Sequence, residues 1–269
     1  MFVEKLRAAQ KKNGSFLCVG LDPDPDLMPH PDVASFLNEI VDATKDLVCA
    51  FKPNLAFFEA LGVGGMQTLL ESMQGVPAHI PVIADAKRGD IGNTARFYAR
   101  ALFETYDFDA ATVNPYGGRD AVQPFTDYRE RGVFVWCRGS NPGAADVQDL
   151  ALDGGGALYE QIARSALDWN EHGNVGLVTG ATWPEQIARV REICPDQVLL
   201  VPGVGAQEGE LEAAAGAAFD RRGEGLVLNA SRGVLYASRS GDYAGNARRA
   251  AEALRGRINK VRDALLARG

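Results

Sequence analysis

Ile80-Pro-Val-Ile-Ala-Asp-Ala-Lys-Arg-Gly-Asp-Ile-Gly-Asn-Thr-Ala95 passes from an apolar run into a cluster of charge. Such a run reads as a strand, here Ile80 to Ala84, that delivers charged groups at its end. Side chains on a strand repeat every two residues, so Asp85 and Lys87 point the same way, and Asp90 follows as the next element begins. From this stretch alone two readings stand. Asp85 and Lys87 form a strand-end ion pair with Asp90 as a helix cap, or the cluster serves chemistry. Phe51-Lys52-Pro-Asn54 adds a second lysine and Gly20-Leu-Asp22-Pro23 another aspartate, each directly after an apolar run. Five charges at one mouth of a sheet would cost folding energy, which favours chemistry.

The rest of the chain repeats the alternation. Ser15 to Leu21, Cys49 to Pro53, Ala110 to Asn114, Gly132 to Cys137, Gly173 to Thr179, Gln197 to Val201 and Gly225 to Asn229 are further strand candidates. Between them lie segments with apolar residues at helical spacing, such as Phe36, Leu37, Ile40 and Val41. Asn54 to Met73 reads as one helix with a glycine-rich interruption at Gly62 to Gly65, and Ala247 to Ala267 as a closing helix. Asn141 to Gly156 has no clear period, and a loop of that length in a compact domain is usually functional or mobile. Eight strands alternating with helices predict one domain over residues 1–269, a (β/α)8 TIM barrel with a short N-terminal helix. The alternative, an open doubly wound sheet, lacks its usual Gly-x-Gly-x-x-Gly after the first strand. In a barrel, Asp22, Lys52, Asp85 and Lys87 all fall at the C-terminal strand ends, where reactive groups gather.

The 269 residues carry 28 Lys and Arg against 35 Asp and Glu, a formal charge of −7, so nothing argues for nucleic acid or an anionic membrane. The first twelve residues read as an amphipathic helix rather than a signal peptide. No apolar run approaches the length of a membrane span. Cys18, Cys49, Cys137 and Cys194 form no C-x-x-C pair and read as reduced core thiols, and the expected location is cytoplasmic.

The loops after strands seven and eight, Pro202-Gly-Val-Gly205-Ala-Gln207 and Asn229-Ala-Ser-Arg232-Gly233, suit an anion, because glycines let backbone N–H groups approach and Arg232 offers a planar fork of donors. The same segments also read as ordinary tight turns with a surface arginine. His30, His79 and His172 lie away from the strand ends. Ser140 has no Gly-x-Ser-x-Gly elbow, and no P-loop or zinc-spaced Cys/His cluster is present. Asp and Lys must then carry the chemistry, unless a divalent metal uses the aspartates.

With these residues on the page, the chain resembles the orotidine 5′-phosphate decarboxylase family, in its longer bacterial subgroup. Ala-Asp85-Ala-Lys87-Arg-Gly-Asp90-Ile-Gly-Asn-Thr94, Phe-Lys52-Pro-Asn, Gly-Leu-Asp22-Pro, Ser140-Asn-Pro-Gly, Pro202 to Gln207 and Ser-Arg232-Gly match it in order across nearly the whole chain. Gly139 departs from the pattern, in which Thr or another polar residue precedes Ser-Asn-Pro-Gly. The resemblance implies that orotidine 5′-phosphate loses CO2 to give UMP, with no cofactor and no metal. It implies Lys87, Asp85, Asp90 and Lys52 as catalytic residues, and Asp22, Thr94, Ser140, Pro202, Gln207 and Arg232 as substrate-binding ones. It also implies a homodimer in which Asp90 and Thr94 reach the neighbouring subunit's site. Two rivals remain open: a metal-dependent hexulose phosphate synthase, which shares Asp-x-Lys-x-x-Asp, and an idle barrel that only binds phosphorylated nucleotides.

Overall fold

The computed structural model describes residues 1–203, 209–238 and 241–268. Eight parallel strands, β1 (Leu17–Leu21), β2 (Ala50–Pro53), β3 (Ile83–Arg88), β4 (Ala110–Val113), β5 (Gly132–Arg138), β6 (Val175–Thr179), β7 (Leu199–Pro202) and β8 (Leu226–Ala230), pair in the order β2-β1-β8-β7-β6-β5-β4-β3. Parallel bridges Phe51 to Val82 and Asn54 to Asp85 join β2 to β3 and bring the ring to closure. The fold is therefore the expected (β/α)8 barrel. Its strands are short and almost wholly buried, as required when side chains fill the lumen on one face and meet the helices on the other.

Helix α1 (Phe2–Asn13) closes the N-terminal end of the barrel. Phe2 and Leu6 are buried there against the inward-facing Cys18, Ala50 and Phe134, with the Phe2 and Phe134 rings edge to face at 5.7 Å. Burial of Phe2 contributes about 2 kcal/mol. Gly132 makes room for it, since a Cβ there would sit 2.3 Å from the Phe2 ring. All four cysteines are buried and free, and burial pushes the Cys18 thiol up to about 12.

The outer helices follow the sequence pattern with local differences. Helix α2 (Val33–Thr44) starts where Asp32 accepts a hydrogen bond from Ser35 N at 2.7 Å. The segment expected as one helix from Asn54 is two, α3 (Leu55–Glu59) and α4 (Gly62–Met73). The chain breaks at Ala60 and Leu61, so the glycines stand within the first turn of α4 rather than between two helices. Helix α5 (Gly92–Arg100) starts from Ile91, not Asp90, and continues as a wider π turn over Ala101–Thr105. Then come α6 (Arg119–Thr126), α7 (Leu158–Asp168), α8 (Pro184–Ile193), α9 (Glu210–Ala218) and α10 (Arg232–Leu235). The last helix, α11 (Tyr243–Leu266), begins a turn earlier than its apolar period indicates, because Asp242 caps it through Gly245 N at 2.9 Å.

Strand β3 differs most from expectation. It does not stop at Ala84 but carries the charged motif inside it, to Arg88. Ala84 pairs with Ala111 and Arg88 with Val113, so Asp85, Ala86 and Lys87 together face Thr112 alone. Lys87 takes φ of 43° at this bulge, the left-handed region that side chains other than glycine rarely adopt. Asp85 and Lys87 thus meet through a bulge and not through regular alternation.

Candidate active site

At the C-terminal mouth of the barrel, Asp85 stands between two lysines. Lys52 Nζ, at the end of β2, donates to Asp85 Oδ2 at 2.7 Å, and Lys87 Nζ donates to Oδ1 at 2.5 Å. Lys52 is 2% exposed and Asp85 8%, whereas the Lys87 side chain keeps 35% of its surface open. Burial pushes the Asp85 carboxyl up, but the charges of Lys52 and then Lys87 outweigh it and hold the group far below the usual carboxylate range. Burial likewise pulls the Lys52 ammonium down, and Asp85, with a smaller part from Asp22, raises it above the ordinary lysine value. A carboxylate fixed as an anion therefore holds two ammonium groups, one sealed and one open.

A cavity of about 810 Å³ opens beside this network. Its lining includes Asp22, Lys52, Asp85, Pro202, Asn229 and Arg232. Asp22 Oδ1 is buried without a hydrogen-bond partner among the described residues. Its loop is held by Tyr236, whose hydroxyl accepts from Asp24 N at 2.7 Å and donates to Asp22 O at 2.9 Å. Arg232 is exposed at the first turn of α10 and lines the same cavity as Lys52. Gln207 lies outside the described residues.

Ser140 is half-buried and rests on two glycines: a Cβ on Gly180 would fall 2.4 Å from Ser140 N, and one on Gly203 3.0 Å from its Oγ. The serine is thereby set beside Pro202. Its loop is not the periodless segment expected from sequence. Pro142–Asp146 is a 3-10 turn, and Ala151 pairs with Ala157 in an antiparallel bridge. Arg138, 1% exposed, donates through Nε and a terminal nitrogen to the two carboxylate oxygens of Asp149, both at 2.8 Å, and its guanidinium lies over the Trp183 ring. Gly139 N donates to Gln148 Oε1, and a Cβ on Gly139 would fall 2.6 Å from Asn141 Oδ1, so a larger residue here would displace the Asn141 side chain. Replacing Asp149 by Ala strands a buried guanidinium. The expected cost is about 3 kcal/mol, the low end for a broken buried pair because Asp149 is partly in water. A urea unfolding midpoint unchanged from the parent would contradict it.

Asp90 and Thr94 are both exposed. Asp90 Oδ1 accepts from Ile91 N at 2.7 Å. Asp22, Lys52, Asp85, Pro202 and Arg232 line one cavity, and Lys87 joins them through Asp85; Asp90 and Thr94 are not among the lining residues, and among the described residues neither side chain hydrogen-bonds to Lys52, Asp85 or Lys87. Ile91, Phe97 and Tyr116 next to them are large, apolar and exposed. The sequence reading passed over Thr112, whose hydroxyl donates to Asp85 Oδ1 at 3.1 Å, Trp136, which lies 6.0 Å beneath the Lys87 ammonium, and Tyr236. The available signal was slight: a lone hydroxyl in the apolar run Ala110 to Val113.

Comparison with known proteins finds full-length likenesses. The family model described as "Orotidine 5′-phosphate decarboxylase / HUMPS family" matches residues 15–249. The chain is 52% identical over 272 residues to an orotidine 5′-phosphate decarboxylase of Cellvibrio japonicus, covering 97% of this chain and 99% of that one. It is 50% identical over 274 residues to one from a Roseiflexus species, covering 99% of each. Among solved structures, the OMP decarboxylase of Leishmania donovani superposes with a TM-score of 0.87 at 41% identity, covering 97% of this chain and 99% of that one. The barrel, the charged motif it displays and these full-length likenesses agree, and the chain belongs to the orotidine 5′-phosphate decarboxylase / HUMPS family.

Proposed function

We propose that this protein decarboxylates orotidine 5′-phosphate to UMP and CO2, the last step of de novo UMP biosynthesis, in the cytoplasm and without metal or cofactor. The observation that carries this reading is the buried Lys52-Asp85-Lys87 network at the mouth of the barrel. The departing electron pair cannot delocalise into an ordinary enolate, so it must be stabilised at pyrimidine C6. As the bond from C6 to the carboxylate breaks, the pair stays on C6, and the Lys87 ammonium stabilises it and then delivers the proton. The resulting amine regains its proton from solvent. Asp85, locked as an anion, lies close to the substrate carboxylate. Two unit charges about 4 Å apart interact by about 4 kcal/mol at an effective dielectric of about 20, a repulsion relieved as CO2 leaves.

Slow reactions of this kind need on the order of 20 kcal/mol of transition-state stabilisation, more than one charge pair supplies. Binding energy at a distance makes up the difference. Arg232 and Gln207 take the phosphate, Lys52 and Asp22 the ribose, and Ser140 the pyrimidine, with Pro202 at the end of β7 as a further substrate contact.

Asp90 and Thr94 act in the neighbouring subunit's site of a homodimer. Their exposure in the single chain, and the apolar Ile91, Phe97 and Tyr116 around them, support that placement. Mixing Lys87→Ala subunits with Asp90→Ala subunits should restore activity, because each heterodimer then contains one intact site. Verified exchange with no recovery would remove the shared-site arrangement.

The direct test of the reaction follows the ultraviolet absorbance of orotidine 5′-phosphate with purified protein in excess EDTA. Conversion to UMP establishes the reaction and dispenses with a divalent metal. Loss of turnover with chelator points instead to enediolate chemistry of the hexulose phosphate synthase kind, and UMP binding without turnover to a barrel that only binds nucleotides.

A further inference from the structure

We propose that Thr112 is a positioning residue that sets both Asp85 and Lys87, an inference that rests on the decarboxylase reading for its kinetic consequences but not for its geometry. Where β3 bulges, Asp85, Ala86 and Lys87 face a single residue of β4, and that residue is Thr112. Its hydroxyl stands in for the missing strand ladder. Thr112 Oγ1 accepts from Ala86 N at 3.0 Å and from Lys87 N at 2.9 Å. The same hydroxyl donates its one proton to Asp85 Oδ1 at 3.1 Å, the oxygen that also receives Lys87 Nζ. The regular ladder resumes immediately, with Asn114 N donating to Arg88 O at 2.7 Å.

One hydroxyl has a single donor and two acceptor positions, and all three are used here. Without it, two N–H groups of the bulge face the β4 side chain unpaired, and Lys87 loses the contact that holds its backbone at a φ of 43°. Thr112 is 1% exposed and is not among the residues lining the cavity beside Asp85 and Lys52. It acts through Asp85 and Lys87, and its two strand-compatible faces, methyl and hydroxyl, separate packing from hydrogen bonding.

Thr112→Val keeps the shape and removes the hydroxyl, while Thr112→Ser keeps the hydroxyl and removes the methyl. The valine variant is expected to lose about 100-fold in kcat, the scale of an ångström-sized misplacement of a reacting group, with KM for orotidine 5′-phosphate essentially unchanged. The serine variant should recover most of that loss. Equal kcat in the valine variant and the parent, a loss confined to KM, or a serine variant as slow as valine each overturns the assignment. If the valine variant does not fold, alanine against serine makes the same comparison, with serine expected to be the faster and equality overturning it. A crystal structure of the substituted protein reads the geometry without activity: Lys87 should leave its left-handed conformation and its contact with Asp85, and an unmoved Lys87 overturns the inference. A parent protein that does not convert orotidine 5′-phosphate rejects the decarboxylase reading instead, and the crystallographic comparison still decides the role of Thr112.

Discussion

Lys87→Ala is expected to leave a folded protein that binds UMP and decarboxylates at least about 10⁴-fold more slowly than the parent, with the loss in kcat. Two contributions vanish together: charge stabilisation of the developing carbanion, for which removal of one well-placed donor typically costs about 10²–10³-fold, and proton delivery, worth about 10²–10⁴-fold. The substitution is tolerable to the fold because Lys87 is the open member of the network, 35% exposed, and Asp85 keeps its sealed partner Lys52. Steady-state kinetics in the presence of EDTA, alongside thermal unfolding, make the check. A variant within tenfold of the parent would remove Lys87 from the chemistry.

Asp85→Asn is expected to cost both activity and stability, and the second effect separates it from Lys87→Ala. Lys52 is 2% exposed, and losing its carboxylate leaves a buried cation without its direct partner, a change that costs about 3–5 kcal/mol. Its dependence on pH has a definite sign. In the parent, Asp85 titrates far below the ordinary carboxylate value of about 3.9, so its contribution is fully present above about pH 4 and is lost only as pH falls through the depressed value. The difference in stability between parent and variant is therefore constant through neutral pH and narrows in acid. At the alkaline end, Lys52 of the parent is held above its ordinary value, so its contribution is present below about pH 10 and disappears as pH rises through the raised value. Urea unfolding of both proteins across pH reads this directly, and a gap that widens towards acid would refute the assignment.

The bulge at Lys87 links these two expectations. A site that requires two lysines on one carboxylate, one sealed and one accessible, needs side chains displaced from regular strand positions. Local backbone strain at such a place is the usual companion of function. Arg138 and Asp149 serve an analogous purpose one loop away, converting an apolar-poor segment into a pinned support for Ser140.

Much of this was legible in the amino-acid order. Eight apolar runs alternating with helical periods determined a barrel, because parallel strands buried on both faces need helices to cover them. The position of Asp22, Lys52, Asp85 and Lys87 at the ends of those runs determined that they share one mouth. What the tertiary structure alone decided depends on register between strands that are not adjacent in sequence to the residues they serve. Period-two alternation suggested that Asp85 meets Lys87, but only the pairing of β3 with β4 shows three residues opposite Thr112 and a positive φ at Lys87. The break of one expected helix into α3 and α4 and the anchoring of the Ser140 loop by Asp149 are likewise matters of contact between distant segments. A strand pattern records which faces are buried; which hydroxyl replaces a missing ladder is set by the neighbour across the sheet.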